Sequence, residues 1–282
     1  MADITVKDIA VRLGVSPATV SLALNNRPGV NAQTRKKVLA LVEELNYTGN
    51  TLIRSRKAGK TNGLINFVVY KRSGKVIADT QFFTTLIEAV EKEARECEYT
   101  ITLTYCENER QFQDSLKLAE SSSLAGMIIL GTEMNEDDAL LLNEINIPVV
   151  VLDNDLFSSA IDTVGIHNMK GIWQAVKCLQ QQGHENIGYL KSGYSIRNFD
   201  YRFLGYKYSM DRLGLAYDDK FTFLLEPSID GAFADMQILL ANDIKMPTAF
   251  LADNDLIALG AIKAMKQTGI HIPEDISIVG FD

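Results

Sequence analysis

The sequence has few of the residues that staple a chain or carry catalysis. Its three cysteines, Cys97, Cys106 and Cys178, lie far apart and include no Cys-x-x-Cys pair, and its three histidines make no metal-ligand spacing with them. Neither a disulfide framework nor a metal site is expected, and the thiols read as reduced and packed. No apolar run approaches membrane-spanning length, and Met1-Ala2-Asp3 opens without a basic-then-apolar export signal, so a cytoplasmic protein is expected. Gly-x-Ser-x-Gly, a phosphate loop and His-Glu-x-x-His are all missing. Gly126, Gly131, Gly183, Gly188 and Gly193 assemble no dinucleotide fingerprint. The expectation is a non-enzyme without cofactor.

Charge is what the chain distributes unevenly. The net charge is -8, yet residues 1–62 hold ten of the 28 lysines and arginines and only four of the 36 acids. That leaves +6 on the first 62 residues and -14 on the rest. A basic head on an acidic body suits a phosphate-binding module on a soluble carrier.

The head has helical periodicity. Thr5 can cap a helix with Val6, Ile9, Ala10 and Leu13 on one face, and Gly14-Val15 then breaks it. Ser16 is a good N-cap, and Pro17 suits the first helical position, where a missing N–H has no partner to lose. In that second helix Val20, Ala23 and Leu24 fall on one side, with Pro17, Ala18, Ser21, Leu22 and Asn25 opposite. Asn31 can cap a third helix carrying Val38, Leu41, Val42 and Leu45. Helix, glycine turn, helix and closing helix make a helix-turn-helix, although a ligand-free three-helix bundle has the same pattern.

From Gly63 onward apolar runs alternate with amphipathic stretches. Leu64–Val69, Ile101–Leu103, Met127–Leu130, Val149–Leu152, Ile187–Leu190, Ala249–Leu251 and Ile276–Val279 read as buried parallel strands. The intervening stretches read as helices, which predicts doubly wound α/β layers, with a break near 163–167 separating two lobes. Two strands run into acidic loops, Asp153-Asn154-Asp155 and Asp253-Asn254-Asp255, and ligands in such sheets bind beyond the carboxyl ends of strands. Carboxylates there accept paired hydroxyls, as a sugar or nucleoside presents them. A lone aspartate after a strand also serves as a helix N-cap, and Asp-x-Asp also suits a magnesium-dependent phosphotransferase, though Leu156 and Leu256 follow where threonine or valine is usual.

Ile4–Ala10, Gly14-Val15-Ser16, Thr19-Val20-Ser21, Leu24-Asn25, Thr34-Arg35 and Val38–Tyr47 together resemble the DNA-binding head of the LacI/GalR family of transcription regulators. The body resembles the same family's effector domain, which has a periplasmic-binding-protein-like fold. The marks are Gln81-Phe82-Phe83, Ile147-Pro148-Val149, Val164 with Asn168 and Gly171, and Gly183-His184. Arg202 with Gly205-Tyr206, Pro247-Thr248-Ala249, Asn254-Asp255 and Val279–Asp282 continue them. The resemblance implies residues 1–48 as an all-α helix-turn-helix domain and 49–62 as a hinge. It makes 63–164 and 165–282 the two lobes of a doubly wound α/β body, the second lobe incomplete because family members continue for roughly fifty residues more.

It further implies a repressor that binds a pseudo-palindromic operator as a homodimer or dimer of dimers, without a membrane. The DNA contacts would be Thr5, Ser16, Pro17, Ala18, Thr19, Ser21, Leu22, Asn25, Thr34, Tyr47, Arg54 and Arg56. Pro17, Ala18 and Leu22 would read bases by apolar contact or shape, and the hydroxyl and amide groups would position the helix on phosphates. A sugar, sugar phosphate or nucleoside-like effector would lie between the lobes against Phe82, Phe83, Asp153, Arg202 and Asp255. A solute-binding protein with a protein-contacting head is the alternative from another class.

Four features depart from the family pattern. Arg56 stands where the hinge commonly has leucine, Gly49 stands in place of a usual proline, and His167 replaces an aspartate before Asn168. Arg56 suits a narrow minor groove, where cations are favoured, and a solvated basic linker has the same composition. The segment from Lys71 to Asp79 is longer and more basic than usual, which suits an anionic effector or a solvated loop alike. If Arg54 and Arg56 each neutralise one phosphate, Arg54→Ala and Arg56→Ala will each lower the salt slope of operator binding by roughly one. Fluorescence anisotropy titrations across salt concentrations measure this, and unchanged slopes would make the hinge a passive tether.

Overall fold

The computed structural model describes residues 6–16, 19–20, 23, 30–44, 63–77, 81–157, 159–242 and 244–281. The positions expected at DNA from Thr5, Pro17, Ala18, Ser21, Leu22, Asn25 and Tyr47, and the hinge with Arg54 and Arg56, lie outside the described residues. The chain divides into two compact units, residues 1–62 and 63–282.

In the first unit α1 (Val6–Leu13) ends at Gly14, whose φ of +63° is a left-handed turn that glycine adopts without strain. Ser16 then caps the following turn: the Thr19 N–H donates to its Oγ at 3.1 Å and the two hydroxyls meet at 2.9 Å. α2 (Ala32–Glu44) starts the same way, with the Thr34 N–H donating to Asn31 Oδ1 at 2.7 Å. Ile9, Ala10, Val20, Ala23 and Val38 close a core among these segments, with Leu13, Val15, Val30 and Leu41 packed against it.

The second unit contains two parallel sheets. The first has the order β2-β1-β3-β4-β5, from β1 (Gly63–Tyr70), β2 (Tyr99–Cys106), β3 (Leu124–Leu130), β4 (Val149–Leu152) and β5 (Asp162–Val164). α3 (Gln81–Glu96), α4 (Glu109–Ser121) and α5 (Glu136–Leu142) connect its strands. The second sheet has the order β7-β6-β8-β9, from β6 (Ile187–Ser192), β7 (Thr222–Leu225), β8 (Ala249–Ala252) and β9 (Ser277–Val279). It is wound with α6 (Asn168–Gln181), α7 (Arg197–Arg212), α8 (Ile229–Ala241) and α9 (Asp255–Gln267).

Strand alternation explains why both faces need helices. On β1, Val68 and Tyr70 join one core cluster, while Phe67 and Val69 join another on the opposite face with Ile77 and Phe83. The central β8 is buried at every position, and its residues divide between two further clusters. The order reverses between β1 and β3 in one sheet and between β6 and β8 in the other, and these switch points leave crevices at the strands' carboxyl ends.

Three short elements were not expected from the sequence: β5, β7 and α5. β5 has three residues and no buried position, and β7 is an edge strand with Leu224 facing solvent. β2 runs well beyond Ile101–Leu103 because, at the sheet edge, its alternate residues stay exposed and break the apolar run.

α8 and α9 pack closely because Gly260 has no side chain. A Cβ there would lie 2.4 Å from the Ile229 carbonyl oxygen and 2.7 Å from Ala232 Cβ. Gly260→Ala should therefore cost about 1–3 kcal/mol through forced separation of the two helices. Urea unfolding measures the loss, and an unchanged midpoint would mean the helices slide apart freely.

Candidate functional site

The crevices of the two sheets face each other across a cleft of about 470 Å³, counting its open mouth. From the first lobe come Val76, Phe82, Phe83, Thr132 and Asp153. The second lobe adds Asn198, Phe199 and Arg202 from the start of α7, and Asn254 and Leu256 from the start of α9.

Asp153 follows β4 directly and holds φ at +60°, a left-handed conformation that aspartate tolerates better than most residues. Its carboxylate accepts from Thr132 Oγ1 at 2.7 Å and from Asn198 Nδ2 at 2.9 Å. Burial pushes its pKa up, against the pull of those two donors and of Arg202. Asn198 in turn accepts from Asn168 Nδ2 at 2.8 Å, and Asn168 Oδ1 accepts from Arg202 Nε at 2.9 Å. Arg202 Nη1 donates to the Asp253 carbonyl, and the guanidinium lies 3.9 Å from the Phe281 ring centroid. A continuous set of buried polar groups thus joins the carboxyl end of β4 to that of β8.

Of the residues expected at an effector, Phe82, Phe83, Asp153 and Arg202 come together here, with Phe83 nearly buried and Phe82 41 % exposed. Asp255 does not line the cleft. Its backbone N–H donates to Phe281 O at 3.2 Å, and its carboxylate packs so tightly on Gly280 that a Cβ there would meet Oδ1. Asn254 faces the cleft instead while also capping α9 through the Ile257 N–H at 3.0 Å. Asp253 is wholly buried beneath the cleft, accepting from Tyr189 Oη and the Ser192 N–H, each at 2.6 Å. Thr132, Asn198 and Asn254 were missed from sequence. Thr132 lies just past β3, and Asn198 stands one helical turn before Arg202, so strand-end and i, i+4 reasoning would have found both.

Among the described residues no group of three or more His, Cys, Asp or Glu is placed to hold an ion. None of the cations of the segment after β1 lines the cleft. Lys71 Nζ lies 5.7 Å from the Tyr105 ring centroid, Arg72 pairs with Asp138 at 3.6 Å, and Lys75 Nζ lies 5.3 Å from the Tyr194 ring centroid.

This arrangement, a cleft between two parallel-sheet lobes in a chain that also carries a separate helical unit, is that of a periplasmic-binding-protein-like regulator. Residues 5–50 match the family described as "Bacterial regulatory proteins, lacI family", and residues 67–282 match "Periplasmic binding proteins and sugar binding domain of LacI family". The chain belongs to the LacI family, whose members here are DNA-binding transcriptional repressors with a ligand-binding domain and not enzymes. It is 31% identical to the HTH-type transcriptional repressor PurR of Pasteurella multocida (strain Pm70), across 99% of this chain and 81% of that protein. It is 30% identical to the repressor CytR of Escherichia coli (strain K12), across 99% and 80%. The lac repressor dimer bound to operator and the anti-inducer ONPF shares the fold, with a TM-score of 0.68 and 24% identity over all of this chain and 83% of that one.

Burial raises the Asp253 pKa from 3.8 to about 6. Folding therefore favours its protonated form: that stabilisation is complete below the unfolded pKa and is lost as pH rises through about 6, a swing on the order of 3 kcal/mol. Asp253→Asn, which cannot ionise, should gain stability relative to the parent between pH 4 and pH 7. Urea unfolding at pH 4, 5, 6 and 7 checks this, and a constant difference between the two proteins would contradict it.

Proposed function

We propose that this chain is a sequence-specific bacterial repressor whose operator binding is set by a small uncharged ligand, a sugar or a nucleoside, held between the lobes. The observation that carries this reading is the cleft itself, where Asp153 of one lobe and Arg202 of the other share a wall with three phenylalanines. Phe82, Phe83 and Phe199 offer apolar and π surface to a flat ring, and Asp153 accepts hydroxyls. Asp153 and Arg202 balance each other's charge, and Lys71, Arg72 and Lys75 are engaged elsewhere. Both facts favour an uncharged ligand over a sugar phosphate.

The basic first 62 residues support operator binding, in which the Ser16, Thr19 and Thr34 hydroxyls would meet phosphates. The operator would be pseudo-palindromic and the protein a cytoplasmic homodimer, as the dimeric form of the operator-bound relative suggests. A ligand that binds one lobe arrangement better than another shifts the population between them and so the affinity for DNA.

Thermal shift measurements with neutral sugars, nucleosides and their phosphates test the ligand class. A neutral compound should raise the Tm, its phosphate should not, and Asp153→Ala should abolish the shift. A response to phosphates alone would overturn the uncharged assignment.

A further inference from the structure

The basic segment after β1 is built around one buried carboxylate. Glu133, 6 % exposed just beyond β3, accepts five hydrogen bonds from that segment. Its Oε2 takes the Ser73 N–H at 2.6 Å, the Ser73 hydroxyl at 2.9 Å and the Gly74 N–H at 2.9 Å. Its Oε1 takes the Val76 N–H at 2.9 Å and the Ile77 N–H at 3.0 Å. These donors curl around the carboxylate as a backbone nest curls around an anion. Burial alone would raise the Glu133 pKa, yet the N–H donors outweigh it and hold the group below its ordinary value.

Two consequences follow from where this segment lies. Val76 forms part of the cleft wall, and Ile77 joins the core cluster with Phe83. Lys75 reaches Tyr194, which lies between β6 and α7 in the other lobe. The hydrogen bond to Tyr194 raises the Lys75 pKa, with Glu226 of the same lobe adding to the effect. Arg197 and Glu136 form a second cross-lobe pair.

We infer that Glu133 is a positioning residue for ligand capture: it fixes residues 73–77 as a strap that forms one cleft wall and carries Lys75 onto the opposite lobe. The ligand part of this rests on the cleft being the ligand site; the strap does not.

Amide hydrogen exchange of the full chain, without ligand, tests the strap. In Glu133→Gln the amide NH2 must face N–H donors whichever way it turns, so amides 73–77 should lose protection roughly tenfold or more. The Tyr194 N–H, which donates to Ser192 Oγ at 3.0 Å in the other lobe, should also exchange faster. A purely local role in the first lobe would not move Tyr194. Lys75→Met should accelerate Tyr194 while leaving 73–77 protected. Glu133→Gln with unchanged exchange at 193–196, or with acceleration spread to α6 and β8, would overturn the inference. Should Glu133→Gln not fold, Ser73→Ala removes one of the five bonds and should show the same pattern in weaker form; no change at 73–77 and 194 would count against it.

Cellobiose, adenosine and cytidine then serve as binding probes. A probe that binds the unsubstituted protein should dissociate faster from Glu133→Gln, and equal rates would refute the role in capture. If none binds, the cleft's ligand class has been misread, while the exchange result still decides the strap.

Discussion

The second unit depends on a buried hydrogen-bonded path between its lobes. It runs from Thr132 to the Asp153 carboxylate, then through Asn198, Asn168 and Arg202 to the Asp253 carbonyl. Two parallel sheets that meet at their carboxyl ends bring polar loop ends into a space from which much water is excluded. Each donor and acceptor there needs a partner or costs the free energy of its desolvation. The path meets that requirement with amides, whose simultaneous donor and acceptor character passes the satisfaction along. The cleft is the space the path leaves open on one side, and Thr132, Asp153, Asn198 and Arg202 of the path line it.

Charge in this region is confined to groups whose surroundings are built for it. Asp253 is fully buried and holds its position through Tyr189 and Ser192 at the cost of a raised pKa. Glu133 is nearly as buried and has the opposite shift, because backbone N–H groups surround it where Asp253 has only two donors. Burial raises both pKa values, and the number of donors decides the sign of the outcome. The larger donor set around Glu133 organises an otherwise exposed loop, and the smaller one at Asp253 ties two adjacent strands.

Much of this was legible from residue pattern. The apolar runs of β1, β3, β4, β6 and β8 mark strands buried on both faces, where continuous hydrophobicity is required, and Ser16 and Asn31 cap helices as their positions suggested. Short and edge elements were not legible: β5, β7 and much of β2 expose alternate positions, so no apolar run marks them. At the site, Phe82, Phe83, Asp153 and Arg202 could be read, whereas Asp255 could not be told from its neighbour. Asn254 and Asp255 are adjacent at a helix start, and which faces the cleft is decided by the packing of Asp255 on Gly280, a contact between segments distant in sequence. The anchoring of the basic loop by Glu133 is of the same kind, since about sixty residues separate the partners.

The amide path also has a direction. Asn168 accepts from Arg202 and donates to Asn198, which donates to Asp153. Turning any one amide over would place donor against donor on one side and acceptor against acceptor on the other, so no link can reverse alone. Parting the lobes far enough to break one link leaves a buried donor and acceptor unpaired together, which favours a joined or a parted arrangement over a half-opened one. An interface built this way acts as a latch rather than a spring. A ligand acting on it would change how often the latch is closed, not how far the lobes bend.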